Sequence, residues 1–319
     1  AMFSRDDAVE LRANLGPIEF SGPSNLSSLA IAYSDHYGLR FNQNLHLESH
    51  RIGIIESSRF QLVCQYFSVS IKRQRGTVFL VHGYFDHAGL YGNLIKHCLM
   101  RGLAVVVFDL PGHGLSSGKL SSIESFNQYS EAFLSCVTEA EKQLINKPWF
   151  AIGQSAGAAV LINCIIEKIS LPQDFDHIIL LAPLLYPRKR HAMRFLFPLV
   201  RCFFSSMKRK FSTNSHDQEF LDFLRTSDSL QSKQLPVDWL LAMVDYQKRF
   251  AEFPTKVQKF SIIQGTADET VDWKYNIRKI EEKFIGSKVY LINGGMHHLV
   301  NESKDYREYV FSLINQLVD

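Results

Sequence analysis

A serine stands between two glycines in the stretch "WFAIGQSAGAAV", at Gly153-Gln154-Ser155-Ala156-Gly157. An apolar run typical of a buried strand precedes it, and a run of small and apolar residues typical of a helix follows it. This spacing is typical of a nucleophile elbow, a tight strand-to-helix turn that exposes the serine hydroxyl. Gly153 and Gly157 would permit the turn, since a side chain at either position would collide with neighbouring backbone. Ser155 is the candidate nucleophile; the alternative is a small-residue turn that only packs a helix on a sheet.

A serine hydroxyl needs a histidine base and a carboxylate if it is to act as a nucleophile near neutral pH. Asp268 in "IIQGTADETVD" and His297 in "INGGMHHLVNE" each follow an apolar run typical of a strand. They occur in the order serine, acid, histidine that is typical of elbow proteins. We therefore expect Ser155, Asp268 and His297 to form a catalytic triad. Neighbouring residues are alternatives: Glu269 and Asp272 for the acid, and His298 for the base.

Acyl transfer also requires N–H donors for the oxyanion. The amide of Ala156, at the start of the helix after the serine, is one candidate. The second candidate is the amide of Tyr84 in "VHGYFDHAGLY", where the His82-Gly83 pair lets the backbone turn towards the serine. We expect His82 to shape this loop through a hydrogen bond, because a second catalytic base is not needed.

The stretch "FDLPGHGLSSG" places Asp109 and His113 near His82 and His87, which raises the possibility of a metal site. The sequence contains no H-E-x-x-H motif to support that interpretation. We expect instead a structural turn, in which Asp109 and His113 bond to backbone groups, and we expect neither a metal nor an organic cofactor.

These residues must be positioned by strands and helices that alternate along the chain. Two alternating runs near residues 50–69 predict an antiparallel hairpin. Continuous apolar runs follow in "GTVFLVHG", "LAVVVFDL", "WFAIGQ", "DHIILLAP", "KFSIIQG" and "SKVYLING", with helical spacing between several of them. This pattern predicts an α/β protein whose mostly parallel central sheet has helices on both faces. Loops at the carboxyl ends of its strands would then carry Ser155, Asp268 and His297.

The chain of 319 residues, with 46% hydrophobic and 21% charged residues, can bury a large core. Its five cysteines are odd in number and contain no C-x-x-C pair, which argues against a disulfide framework or zinc site. The first residues are charged and lack the apolar segment of a signal peptide, and no apolar run approaches the length of a membrane span. We expect a cytoplasmic protein, in a reducing compartment, that is soluble or at most peripheral to a membrane.

The net charge of +3 does not favour a nucleic-acid partner, but the charge is unevenly distributed. No acidic residue occurs between Ile178 and His216, whereas eight Arg and Lys residues do. In "RKRHAMRFLFPLVRCFFSSMKRKF" they alternate with aromatic and aliphatic residues, and Pro198 is expected to interrupt any continuous helix there. Two interpretations stay open: the apolar side chains pack onto the core below a solvated basic face, or the segment contacts an anionic membrane surface or lipid.

Five separated motifs, "HGYFDHAGLY", "FDLPGHGLSSG", "GQSAG", "GTADETVD" and "GGMHHLVNE", make the chain resemble the α/β-hydrolases of the monoacylglycerol lipase and lysophospholipase branch, among the serine aminopeptidase-like (S33) hydrolases. The resemblance covers about residue 50 to the end. It implies the triad Ser155, Asp268 and His297 and an oxyanion hole formed by the amides of Tyr84 and Ala156. Tyr84 departs from the pattern, which usually has a small residue after His-Gly.

By this resemblance the chain divides into an N-terminal extension (1–45), a first part of the hydrolase core (46–183), an inserted helical cap (184–253) and a second part of the core (254–319). The expected function is cofactor-independent cleavage of the carboxylic ester of a lipid with one acyl chain, a lysophospholipid or a monoacylglycerol. A carboxylesterase or peptidase with small substrates is an alternative, and a non-catalytic ligand-binding protein on the same scaffold is a third. The expected partner is thus a small lipid, and the sequence indicates no oligomeric state.

Overall fold

A computed structural model describes residues 2–41, 47–143, 145–168 and 175–319 of the chain. Its strands are β1 (Leu47–Ser57), β2 (Phe60–Val69), β3 (Gly76–Val81), β4 (Leu103–Phe108), β5 (Trp149–Gln154), β6 (His177–Leu181), β7 (Ser206–Lys208), β8 (Gln234–Pro236), β9 (Lys256–Val257), β10 (Phe260–Gly265), β11 (Phe284–Ile285) and β12 (Lys288–Ile292). Its helices are α1 (Arg5–Ala13), α2 (Ser28–His36), α3 (Gly92–Met100), α4 (Phe126–Lys142), α5 (Ala156–Ile166), α6 (Arg190–Phe203), α7 (Gln218–Thr226), α8 (Val237–Glu252), α9 (Trp273–Lys283) and α10 (Lys304–Val318).

The main sheet of the described residues has eight strands in the order β1-β2-β4-β3-β5-β6-β10-β12. The β1–β2 hairpin is antiparallel, as its alternating sequence predicted, and β2 pairs antiparallel with β4. From β4 to β12 all the pairs are parallel. The carboxyl ends of β3, β5, β10 and β12 therefore lie at one edge of the sheet, where a site is expected in open α/β folds.

Both faces of the sheet are covered, which explains why its central strands are apolar at nearly every position. Along β3, Phe79 and Val81 pack into a core that also includes residues of α4, α5 and α8. The alternate residues Val78 and Leu80 pack into a second core, built with α3, α10 and the N-terminal helices. This architecture confirms the predicted fold class, a mostly parallel sheet with helices on both faces.

The N-terminal extension contains the two helices α1 and α2. Ser4 and Asp7 form a capping box at the start of α1. After α1 the chain runs along the outer edge of β1, where the amide of Ile18 donates to the carbonyl of Ile54. A Cβ on Gly53 would lie 2.5 Å from the Cα of Ile18, so only glycine permits this approach. The extension thereby covers a sheet edge that would otherwise be open to other chains. Its expected boundary at residue 45 lies outside the described residues.

The segment expected to form a cap, residues 184–253, contains α6, α7 and α8 and a small antiparallel pair of strands, β7 with β8. The expectation that Pro198 interrupts the helix was wrong, because α6 continues through it from Arg190 to Phe203. A proline inside a helix removes one N–H donor and crowds one carbonyl, at a cost of about 3 kcal/mol. The helix nevertheless continues through the proline, and its side chains are exposed or only partly buried, with Met193 and Phe197 packed against the core.

No helix in the described ranges combines the length and apolarity that crossing a bilayer requires.

Candidate active site

Ser155 lies in the turn between β5 and α5 with φ 56° and ψ −113°, a backbone conformation that residues with side chains seldom adopt. The flanking glycines explain how the turn fits. A Cβ on Gly157 would lie 2.0 Å from the carbonyl oxygen of Val81, and a Cβ on Gly153 would lie 2.6 Å from the carbonyl oxygen of Gly157. The turn therefore depends on both glycines, and it has the strained strand-to-helix geometry of a nucleophile elbow.

The three residues expected to form the triad are in one hydrogen-bonded chain. The Oγ of Ser155 lies 2.9 Å from Nε2 of His297, and Nδ1 of His297 lies 2.7 Å from Oδ2 of Asp268. Oδ1 of Asp268 accepts hydrogen bonds from the amides of Thr270 and Val271. With Nδ1–H donating to Asp268, Nε2 is free to accept the Ser155 proton.

The electrostatics of the pair favour an ionised carboxylate beside the imidazole. Burial alone lowers the pKa of His297, but the charge of Asp268 and its hydrogen bond outweigh burial and raise the pKa above the ordinary histidine value. Burial alone raises the pKa of Asp268, but the charge of His297 and several hydrogen bonds lower it below the ordinary value. The carboxylate can therefore stabilise the positive charge that His297 would gain as a base.

The alternative residues are engaged with other partners. Glu269 is exposed and pairs with Arg188, and Asp272 pairs with Arg190. Both ring nitrogens of His298 have other partners, since Nε2 lies 3.0 Å from Oδ2 of Asp86 and Nδ1 lies 3.1 Å from Nε2 of Gln154.

Asp86 and His298 form a second buried pair, which no sequence motif predicted. Oδ2 of Asp86 also accepts from the hydroxyl of Tyr91, which in turn accepts from the amide of Gly83 in the loop after β3. Gln154 donates to Nδ1 of His298, so Nε2 carries the proton and donates to Asp86. The network links the loop after β3, the end of β5 and the histidine loop. Its members are far apart in sequence, and only the adjacency of two histidines in "GGMHH" hinted at it.

The loop after β3 brings its backbone close to the candidate nucleophile, since a Cβ on Gly83 would lie 3.4 Å from the Cβ of Ser155. Within the described residues, the amides of Tyr84 and Ala156 have no protein acceptor. Both are therefore available to an oxyanion. The Tyr84 ring is stacked on Trp239 of α8, with ring centroids 3.7 Å apart, and its hydroxyl donates to the carbonyl of Ser121.

His82 shapes this loop as expected. Its Nε2 accepts from the amide of Leu110, so Nδ1 carries the proton and donates to the carbonyl of Gly83. Burial, with the charge of His113, lowers the pKa of His82 to about 3, which keeps the ring neutral. His82 is therefore a structural donor and acceptor rather than a titrating base.

Asp109 and His113 also bond to backbone groups, as the structural-turn interpretation predicted. The two carboxylate oxygens of Asp109 accept from the amides of Ala88 and Leu115. Nε2 of His113 accepts from the amide of Phe85. Among the described residues, no cluster of three or more His, Cys, Asp or Glu side chains is arranged to hold a metal ion.

A cavity of about 470 Å³ opens over Ser155 and His297. Residues of the cap segment form much of its wall, and most of its lining is apolar. The apolar lining residues include Phe85, Leu184, Leu224, Leu235, Trp239, Leu240 and Met243. Four cations also line it: Arg188, Lys189, Arg209 and Lys210. The cavity falls within the size range of small-molecule sites and can take an apolar chain together with a polar group.

The chain matches the family model described as "Serine aminopeptidase, S33" over residues 72–304. It is 25% identical to human monoglyceride lipase over 269 residues, which cover 81% of this chain and 86% of the relative. Two solved structures share the fold. A soluble variant of monoglyceride lipase from Saccharomyces cerevisiae superposes with a TM-score of 0.73 at 17% identity, covering 88% of this chain and 97% of the other. Monoacylglycerol lipase from Paleococcus ferrophilus gives 0.67 at 23% identity, covering 81% and 98%. The chain belongs to the serine aminopeptidase S33 family of α/β-hydrolases, in its monoacylglycerol lipase branch, and is a hydrolase of the lipase and esterase type.

Proposed function

We propose that the protein is a serine hydrolase that cleaves the carboxylic ester of a lipid with a single acyl chain, a lysophospholipid or a monoacylglycerol. The observation that carries this proposal is the hydrogen-bonded chain from Ser155 through His297 to Asp268 at the base of a largely apolar cavity. The names of the monoglyceride lipase relatives support the same substrate class.

In the proposed reaction His297 accepts the proton of Ser155 while the serine oxygen attacks the acyl carbonyl. The amides of Tyr84 and Ala156 hold the resulting oxyanion, and Asp268 stabilises the protonated His297. The imidazolium then gives its proton to the leaving alcohol, which leaves an ester between the fatty acyl group and Ser155. Water, deprotonated by His297, attacks this acyl-enzyme and releases the fatty acid.

The test is the release of fatty acid from lysophosphatidylcholine, monoacylglycerol and a short-chain ester, with Ser155→Ala as the decisive variant. We expect the long-chain substrates to be preferred and their hydrolysis to fall by about 10³-fold or more in the variant. Ser28→Ala, which changes an exposed serine on α2, is the matched control and should keep full activity.

Preference for the short ester would favour the carboxylesterase alternative. Activity that survives Ser155→Ala would contradict the assignment of the nucleophile. If Ser155 also failed to react with a fluorophosphonate at neutral pH, a non-catalytic binding protein would become the better description.

We further propose that α6 places the protein on anionic membranes, because its side chains are exposed on an amphipathic helix. Phe195, Leu199 and Phe203 are spaced four residues apart, so they share one face, and they are 77%, 63% and 78% exposed. Arg194 and Arg201 lie on the same helix. Met193, also on α6, lines the cavity over Ser155, so a lipid could pass from the membrane to the site over a short path.

Cosedimentation with vesicles of phosphatidylglycerol and phosphatidylcholine tests this contact. The double variant Phe195→Ser/Phe203→Ser should reduce the bound fraction at least tenfold, since burying one phenyl ring is worth about 1.5–3 kcal/mol. Ile71→Ser/Val257→Ser removes two equally exposed apolar residues elsewhere and should bind like the wild type. If both double variants bound the vesicles as well as the wild type, the basic face of α6 would be a solvated surface and not a membrane contact.

A further inference from the structure

The cavity over Ser155 contains a cation that the proposed ester cleavage does not itself require. Arg209, in the cap segment, lines this cavity together with the candidate nucleophile. Its guanidinium lies 3.9 Å from the ring centroid of Phe85 and 4.5 Å from that of Phe211. Phe85 directly follows Tyr84, whose amide would bind the oxyanion. The guanidinium of Arg209 therefore lies close enough for one small substrate to contact both Arg209 and the amide of Tyr84.

The side chain of Arg209 is held in place with donors to spare. Its Nη1 donates to Oε1 of Gln231 at 2.9 Å and to the carbonyl of Ser232 at 3.2 Å. Within the described part of the chain, Nε and Nη2 have no protein acceptor, and no carboxylate lies within ion-pair distance of the guanidinium. The Nε–H and Nη2–H groups form one edge of the guanidinium, and two parallel donors on such an edge can bind two oxygens of a phosphate.

The remaining charges of the cavity favour an anion as well. Four cations line it but only two carboxylates do, and both carboxylates are already engaged. Asp86 is bonded to His298 and Tyr91, and Glu269 is paired with Arg188. An anionic group entering the cavity would therefore meet an Arg209 that is not directly bonded to a carboxylate, in surroundings that are partly shielded from water. Asp86 and Asp228 act on the charge of Arg209 only over longer distances.

We propose that Arg209 binds the phosphate of the substrate's head group, so that the preferred substrate is a lysophospholipid with an accessible anionic phosphate rather than a neutral monoacylglycerol. The acyl chain occupies the apolar part of the cavity, the ester carbonyl faces Tyr84 and Ala156, and the phosphate of the leaving glycerol group lies against Arg209. This inference rests on the proposed function and specifies its substrate class.

The experiment compares substrates that share one octanoyl chain and are used as dissolved monomers, so that binding to a lipid surface does not contribute. They are lysophosphatidic acid, lysophosphatidylglycerol, lysophosphatidylcholine and monoacylglycerol. We expect kcat/KM for the two anionic lysophospholipids to exceed that for monoacylglycerol by about tenfold or more, as for a hydrogen bond between charged groups. Glycerol 3-phosphate, the head group alone, should inhibit at lower concentration than glycerol.

Arg209→Gln should bring the ratio of anionic to neutral substrate close to one, mainly through KM, and Arg209→Lys should restore part of it. Arg225→Gln, which removes an exposed arginine of the cap segment that does not line the cavity, should leave the ratio unchanged. A purely structural role would lower kcat/KM for all four substrates equally in Arg209→Gln.

Such an equal loss would overturn the inference, and so would equal use of all four substrates by the wild type. In either case Ser155-dependent ester cleavage would still support the proposed function. If none of the four were cleaved in a Ser155-dependent way, the proposed function itself would fail.

Discussion

Burial lowers the pKa of His297, whereas the charge of Asp268 raises it. The effect of Asp268 outweighs burial, so the pKa lies above the ordinary value for histidine. A proton acceptor must be neutral, so activity should be lost as the pH falls through this raised pKa. We expect the acidic limb of the kcat/KM profile to have its midpoint above 6.5, the ordinary value for histidine.

Asp268→Asn should have two effects on that profile. Removing the negative charge of Asp268 leaves burial opposed only by the smaller effect of Asp86, so the pKa of His297 should fall and the acidic limb should move to lower pH. The plateau should fall by roughly 10⁴-fold, since the amide no longer holds the useful tautomer or stabilises the imidazolium. Asp272→Asn changes the alternative acid four residues away and should alter neither quantity. If the acidic limb of the kcat/KM profile shifted in Asp272→Asn and not in Asp268→Asn, the acid of the triad would have been misassigned.

At the scale of elements, the acid-bearing strand and the histidine loop meet through their backbones. A Cβ on Gly265, the last residue of β10, would lie 2.2 Å from the carbonyl oxygen of Gly295. The same carbonyl accepts from the amide of Ala267, one residue before Asp268. The distance between Asp268 and His297 therefore depends on a glycine outside the proposed triad.

Gly265→Ala should separate the two loops and lower kcat by about 10²-fold, the loss that a displacement near 1 Å can cause. Thermal unfolding of the same variant would show whether the protein remains folded. Gly16→Ala is the matched control, because a Cβ there would meet no atom within 4 Å. Wild-type kcat in Gly265→Ala would mean that the loops accommodate a methyl group without moving the histidine.

Sequence patterns predicted the elements around the site more completely than the contacts between them. The continuous apolar runs of β3 and β5 and the glycines around Ser155 are local features, readable over a few residues. The pair of Asp86 and His298 is not, since 212 residues separate its members. The expected helix break at Pro198 was wrong. A proline destabilises the helix only locally, whereas the length of α6 depends on the helical turns on both sides of it.

At the scale of the whole molecule, the N-terminal extension is bonded to the cap segment. The hydroxyl of Tyr37 donates to Oδ1 of Asp228, which also lies 3.1 Å from Nε2 of the buried His87. His36 bonds to the carbonyl of Ser227, and Arg5 donates to the carbonyl of Gln231. Three residues of the N-terminal extension, Arg5, His36 and Tyr37, thus bond to the loop between α7 and β8 of the cap segment. The sequence alone did not predict this role for the extension. Gln231 is also the partner of Arg209, so the extension supports the cavity wall indirectly.

Tyr37→Phe removes a donor from a buried carboxylate and should destabilise the protein by about 1.5–3 kcal/mol. For a chain of this size the midpoint of thermal unfolding should fall by several degrees. Tyr309→Phe, which removes the hydroxyl of an exposed tyrosine, should leave the midpoint unchanged. An equal midpoint for both variants would show that the extension does not restrain the cap loop.

The distribution of the cysteines allows a fluorescent label to be placed on α6 alone, so that its contact with a membrane can be observed. Cys202 is exposed near the end of this helix, whereas the other four cysteines are buried. Burial raises the pKa of the Cys98 and Cys164 thiols to about 12, so they remain protonated and react slowly with electrophiles. A maleimide fluorophore should therefore attach selectively to Cys202 in the folded native chain. The wild-type sequence provides its own attachment point for a polarity-sensitive dye, next to Phe203 and about two helical turns from Phe195, the residues proposed to enter the bilayer.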